Sequence, residues 1–216
     1  MSFTVLEADQ RSPEWFKARA GRLTGSVAAE MMATRKDSTE AAARRDLRTR
    51  LVLERIVGEP LEDDYQNFDM RRGIELEPEA IGAYEALTGR IVWRTGFLAH
   101  EELPIGCSLD GHFGEFEGLL ELKCPRSANH LRYLRTRGLP AEHRWQVIHN
   151  LFVTGAQWAE FVSYDPKFPE PLRLFIHRYE RVQSEIDSYE MLLRQFLREV
   201  DAEFAEVSRM AMVAVA

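Results

Sequence analysis

Two cysteines in 216 residues are too few for a secreted disulfide framework, so both are expected as free thiols in a reducing cytoplasm. No stretch reaches the roughly 18 apolar residues that a membrane helix needs. The opening MSFTVLEADQ has neither the basic start nor the apolar core of a signal peptide, and a cytoplasmic protein with no membrane attachment is expected. There is no internal repeat, low-complexity tract or Gly/Ser linker, so residues 1–216 are read as a single domain. Positive charge is short as well. The 28 Lys+Arg against 35 Asp+Glu give a net −7, which taken alone argues against a nucleic-acid partner.

The distribution of charge argues the other way. Residues 11–55 hold eleven Lys/Arg and six Asp/Glu, whereas 180–208 hold eight acids and three arginines. One face for a polyanion and another for solvent or a neighbouring subunit would account for this, as would a set of ordinary solvated helix faces.

The pattern of elements is mixed. RSPEWFKARAG has a helix start, with Ser12 as N-cap, Pro13 at the first position and Glu14 in the first turn, and it stops at Gly21. A second helix is expected near Ser26, a long one through 38–58, and another through ELEPEAIGAYEALTG, closing at Gly89. The acidic stretch EPLEDDYQNF between them reads as a surface loop. RIVWRTGFLAH, IGCSLDG and EGLLELKCP are β-rich, joined by short Gly-containing turns, and are expected as an antiparallel meander. Two helices, two strands (AEFVSYDP and PLRLFIHRYE) and a long amphipathic helix follow. This order predicts an α/β fold, a central mixed β-sheet flanked by helices in three layers.

One strand is anomalous. In GLLELKCP, Glu121 and Lys123 interrupt an apolar run, where an unpaired charge costs several kcal/mol. Residues two apart share a strand face, so Glu121 and Lys123 face one way and Leu120 and Leu122 the other. If 105–110 pairs with 118–124, Asp110 ends its strand beside that polar face. Two close carboxylates repel unless a cation sits between them, and oxygen donors suit Mg²⁺ or Mn²⁺. A lysine there can orient an attacking water or neutralise charge on a phosphate. The chemistry favoured is metal-assisted phosphodiester hydrolysis; the plainer alternative is a surface hairpin with an incidental ion pair.

SLDG…ELKCP resembles the PD-(D/E)XK nuclease motif in the form found in the phage lambda exonuclease and YqaJ viral recombinase family. EWFKARAGRLTGS, RRGIELEPEAIGAYE and RWQVIHNLFVTGAQWAEFVSYDP resemble further blocks of that family, in order, over about residues 12–166. The resemblance implies a restriction-endonuclease-like core and degradation of one strand of linear double-stranded DNA from a 5′ end. That reaction leaves 3′ overhangs for a single-strand-annealing recombination protein of a phage or prophage system. It implies Asp110, Glu121, the backbone carbonyl of Leu122 and Glu77 as metal ligands, Lys123 acting on the attacking water, and Gln146 lining the site. Glu75 and Glu79 point roughly 200° away from Glu77 on a helix. It places Arg19, Ser26 and Ser108 in a pocket for the terminal 5′-phosphate; a guanidinium fork and a helix start both suit phosphate. A toroidal homotrimer is implied too, its channel lined by the basic 11–55 segment with Arg132, Arg135 and Arg137.

Trp15 is open between packing and stacking on a terminal base pair. His112 and His149 read as structural or surface residues, and the two cysteines as small buried hydrophobes that could lie close if their strands pair. The chain departs from the family pattern at Leu109, often proline, and at Ile148, where a second glutamine can stand. An endonuclease of the same fold and a non-catalytic DNA-end-binding protein are the competing functions.

Overall fold

The computed structural model describes residues 3–35, 40–61 and 68–213. Its strands form two mixed four-stranded sheets instead of one central sheet. The first contains β1 (Phe3–Leu6), β2 (Leu23–Thr24), β3 (Phe97–His100) and β4 (Ile105–Cys107), in the order β1-β3-β4-β2. The second contains β5 (Gly111–Phe113), β6 (Gly118–Lys123), β7 (Trp158–Tyr164) and β8 (Leu174–Glu180), in chain order. Here β6 and β7 pair in parallel, Glu121 opposite Phe161, and β5 and β8 flank them antiparallel.

The expected meander is therefore two hairpins, one in each sheet. The strand expected over 105–111 ends at Cys107, and Gly111 begins the next. Residues 108–110 carry the chain between sheets, so Asp110 reaches β6 from a connection and not from a paired strand. Trp93 keeps a single bridge to His112, while the strand expected over 90–100 begins only at Phe97.

The helices are α1 (Pro13–Arg19), α2 (Ala28–Met31), α3 (Ala42–Val57), α4 (Phe68–Thr88), α5 (Ser127–Thr136), α6 (Ala141–Thr154) and α7 (Gln183–Val213). Ser12 caps α1 as expected, its hydroxyl accepting from Trp15 N at 3.1 Å. Of the acidic loop expected at 59–68, residues 62–67 lie outside the described residues, as do 36–39 ahead of α3. Helix α4 runs through Pro78, which leaves the Ile74 carbonyl without its intrahelical donor just where Glu77 stands.

The alternation in β6 separates two apolar clusters. Leu119 joins α2, α3, α6 and α7 in the larger one, whereas Leu120 and Leu122 pack with Ala80 and Tyr84 of α4 in the other. Helices on both faces of β6–β7 give the expected three layers. Cys107 lies in the first cluster and Cys124 in the second, both buried as free thiols. Burial pushes both thiols up, Cys124 to about 12, so neither is a ready nucleophile.

The uneven charge is used inside the fold. Helix α3 lies along α7, where Arg44 Nη1 meets Glu199 Oε2 at 2.6 Å, Arg48 Nε meets Glu203 Oε2 at 2.9 Å and Arg55 Nη1 meets Asp201 Oδ1 at 2.6 Å. Three of the basic residues expected to line a DNA channel are thus committed to the acidic closing helix. A double-mutant cycle on Arg44→Ala and Glu199→Ala should return a coupling of about 0.5–1 kcal/mol that shrinks in high salt. Urea melts at low and high ionic strength check this, and a zero coupling would leave α3 free to face a polyanion.

Candidate active site

Glu121 is 2% exposed in the middle of β6, with Phe161 of β7 opposite. What makes a buried carboxylate tolerable is its partners. Lys123 Nζ stands 2.5 Å from Glu121 Oε1 and 4.0 Å from Asp110 Oδ2, so one ammonium bridges two carboxylates. Asp110 is held by the strand itself, its Oδ2 accepting from Leu122 N at 2.7 Å. Leu122 thus engages the site through its amide N–H, while its carbonyl was the group expected.

Burial raises the Glu121 carboxyl above the usual range; Lys123 pulls it back and Asp110 pushes it further up. Burial works against the Lys123 ammonium, but Glu121 and Asp110 more than offset it and keep the lysine charged. From α6, Asn150 Nδ2 donates to Glu121 Oε2 at 3.4 Å. Gln146 lies one turn earlier on the same helix face. Gly25 makes room for both: a Cβ there would collide with Asn150 Oδ1 and press on Gln146 Cγ. Asn150 carried no recognisable signal in the sequence beyond its four-residue spacing from Gln146.

The donor set suits a divalent cation without forming a full cage. Among the described residues no three His, Cys, Asp or Glu side chains cluster as metal ligands. The two carboxylates converge on a cationic position now taken by the lysine. Glu121 Oε1 has the Lys123 ammonium as its partner, whereas the buried Asn150 Oδ1 has no hydrogen-bond donor. Glu77, expected as a further metal acid, is paired with two arginines. It meets Arg94, and Arg11 Nη2 lies 3.9 Å from its Oε2. It still lines the same cleft as Asp110, of about 670 Å³. Glu79, on the far side of α4, accepts from Tyr164 OH at 2.7 Å, as its helix position required.

A second constellation stands on the other side of the 108–110 connection. Arg19 Nη2 donates to Thr24 Oγ1 and Ser26 Oγ, both at 3.3 Å, and Arg19 Nη1 to Ser108 Oγ at 3.4 Å. Three residues expected to meet are thus brought together from α1, the turn after β2 and the connection after β4. Thr24 joins them unforeseen; its hydroxyl is the residue-type match that the sequence offered and that went unread. Trp15 Nε1 donates to Ser108 Oγ at 2.8 Å and its ring lies under the Arg19 guanidinium at 4.1 Å, so the indole props this arginine. The helix-dipole argument for Ser26 fails. Ser26 sits in a 3₁₀ turn, Gly25–Val27, ahead of a four-residue α2, too short to focus a dipole.

The flanking histidines are structural. His149 is buried between Tyr189 OH at 2.7 Å and the Gly106 carbonyl at 3.0 Å, and burial lowers its pKa to about 4. His112 stacks on Phe116 at 4.1 Å. Ile148 is wholly buried in the larger core, where a second glutamine would be out of place. Leu109 is 1% exposed, and its carbonyl accepts from Gln10 Nε2 at 3.0 Å.

The model of the YqaJ-like viral recombinase domain matches residues 14–157, two thirds of the chain. The fold is similar to the alkaline exonuclease LHK-Exo from Laribacter hongkongensis, solved alone and in complex with dAMP. In both cases identity is 35%, the TM-score 0.84, and coverage 95% of this chain and 100% of that one. A phage-related exonuclease from Haemophilus somnus 129PT shares the fold at 14% identity and a TM-score of 0.66, over 86% of this chain and 96% of its own. No curated protein sequence matches. Among the described residues no helix is long and apolar enough to cross a membrane. The chain belongs to the YqaJ-like viral recombinase family, and its fold is that of alkaline exonucleases.

Proposed function

We propose that this protein is a metal-dependent 5′-to-3′ exonuclease that degrades one strand of linear double-stranded DNA from a 5′-phosphorylated end. The 3′ overhangs it leaves would be substrates for a single-strand-annealing partner. The observation that carries this reading is the pairing of two constellations across three residues. Ser108 belongs to the Arg19 cluster, and Asp110 to the carboxylate–lysine cluster. An arginine fork backed by three hydroxyls suits a terminal phosphate. The dAMP bound by LHK-Exo is the unit that such a reaction would release from DNA.

Asp110, Glu121 and the Leu122 carbonyl would hold Mg²⁺, or Mn²⁺ in its place, with Glu77 able to join by leaving Arg94. The ion would supply charge stabilisation for the phosphorane-like transition state and lower the pKa of an attacking water. Lys123 would then leave Glu121 and orient that water through its N–H groups. Asn150 would keep Glu121 in place while Lys123 moves, and Gln146 would close the wall beside it. Arg19, Thr24, Ser26 and Ser108 would hold the new 5′-phosphate between cuts. A ring of three subunits, as the family resemblance implies, would keep a protein of net charge −7 on DNA.

Three DNAs with Mg²⁺ test the reaction: a 5′-phosphorylated duplex, its 5′-hydroxyl counterpart and closed circular plasmid. Loss of one strand of the phosphorylated duplex is expected, with the circle intact. Cutting of the circle would make it an endonuclease, and no cleavage with Mg²⁺ or Mn²⁺ a DNA-end-binding protein. Lys123→Ala should lower kcat by about 10²–10³ while DNA-end binding persists; near wild-type turnover would remove the lysine from the chemistry. Arg19→Ala should cut the preference for 5′-phosphate over 5′-hydroxyl ends by about ten- to a hundredfold in kcat/KM, the worth of a charge-assisted contact. A retained preference would empty the pocket of its arginine.

A further inference from the structure

The cleft beside Asp110 runs between the stretch Glu7–Arg11, the middle of α4 and Arg94–Gly96. Two cations line it. Arg11 and Arg94 have side chains 42% and 59% exposed, and both are turned onto the single carboxylate of Glu77. One carboxylate cannot satisfy two guanidinium forks, and ion pairs this exposed contribute little and exchange readily. Glu7 and Asp9 share the lining, so the two arginines form a local fork and not a broad basic surface.

Arg11 is also positioned. It holds φ +73, a backbone conformation uncommon away from glycine, asparagine and aspartate. Ser12 N donates to the Asp9 carbonyl at 2.9 Å across it, and Gln10 Nε2 donates to the Leu109 carbonyl at 3.0 Å. The second bond ties the Arg11 turn to the residue just before Asp110. Arg19, Ser26 and Ser108 do not line this cleft, whereas Leu109 and Asp110 do. Asp110 thus borders both cationic clusters: it lines the cleft of Arg11 and Arg94, and its connection carries Ser108 to Arg19.

We propose that Arg11 and Arg94 are the binding site for a backbone phosphate of the strand being degraded, on the 3′ side of the bond to be cut, and that Glu77 holds them until DNA arrives. The proposal rests on the exonuclease reading and assigns the strand path within it. A strand whose 5′-phosphate sits at Arg19 passes Ser108, then Asp110, and next meets this fork. A phosphate displaces Glu77 from both arginines, and the freed carboxylate swings toward Asp110 and Lys123. Substrate entry and completion of the acidic site become one movement. In the sequence Arg11 was only one of the basic residues of 11–55, and nothing joined it to Arg94, which lies 83 residues away and meets it only through Glu77.

The test uses the full chain carrying Lys123→Ala, which cannot digest the probe, and a fluorescent 5′-phosphorylated duplex in EDTA. Binding is followed by anisotropy between 50 and 200 mM salt. Adding Arg11→Ala and Arg94→Ala together should lower the slope of log K against log salt by about 0.9, the release expected for one phosphate contact. A probe with an uncharged methylphosphonate directly 3′ of the scissile position should bind the parent more weakly and the double variant no more weakly than normal DNA. Glu77→Gln, which releases both arginines, should tighten binding. An unchanged salt slope with an equal methylphosphonate penalty in both proteins overturns the subsite. A Lys123→Ala parent that keeps a cooperative melting transition above the assay temperature yet does not bind DNA ends overturns the exonuclease reading instead. Both arginines are exposed, so melting curves that match the parent's keep loss of fold from imitating the result.

Discussion

A carboxylate buried at 2% exposure in the central strand constrains much of the surrounding structure. Glu121 lies in the strand that separates the two apolar clusters, where truncating its cationic partner would cost about 3–5 kcal/mol. That cost is offset from two directions, Lys123 on the same strand face and Asn150 from α6, while the approach of Asp110 adds a repulsion that the same lysine must absorb. Each requirement shapes its surroundings. Lys123 must sit two residues on, Gly25 must lack a side chain so that α6 can bring Asn150 close, and the chain must leave β4 in time for Asp110 to arrive. The break between the two sheets at 108–110 is the backbone's answer to the last of these.

The same segment explains why two chemically different clusters lie so near each other. A regular strand would send Ser108 and Asp110 to one face. The irregular connection instead lets Ser108 turn to Trp15 and Arg19 while Asp110 turns to Leu122 and Lys123. Arginine and indole are preassembled there: the Trp15 ring supports the guanidinium from below and its N–H fixes the serine. A pocket ordered in this way loses little side-chain entropy when an anion enters.

Elements with a local signal were legible in the sequence. The Ser12-Pro13-Glu14 start of α1, the glycine ends of α3 and α4, and the alternation of β6 depend on neighbours in the chain and were read correctly. Asp110, Glu121 and Lys123, and likewise Arg19, Ser26 and Ser108, were named by the resemblance and lie together in the fold. What failed needed tertiary information. Nothing local says that 105–111 is two short strands in different sheets, or that β1 adds to an edge of the first. The surplus of arginines at 44, 48 and 55 looked like a surface for DNA because their partners, Glu199, Glu203 and Asp201, lie some 150 residues away. Glu77 shows the same limit from the other side. The resemblance named it, but the arginines that pair with it come from two other segments.

On the exonuclease reading, the 108–110 connection also sets a length. The end-phosphate cluster and the carboxylate cluster are joined by one residue, Leu109, which is buried and pinned through its carbonyl by Gln10. A spacing fixed by buried backbone cannot stretch to accept a longer piece of DNA between the two sites. Product size would then be a property of the fold and not of the sequence being cut, and base-specific contacts would be unnecessary at the site. The side chains gathered there fit that expectation: guanidinium, hydroxyl, carboxylate and ammonium groups suit phosphates, sugars and cations, and Arg19 is already engaged with its three hydroxyls. Asn150 is spent on Glu121, which leaves the phosphate backbone as the feature this surface is built to recognise.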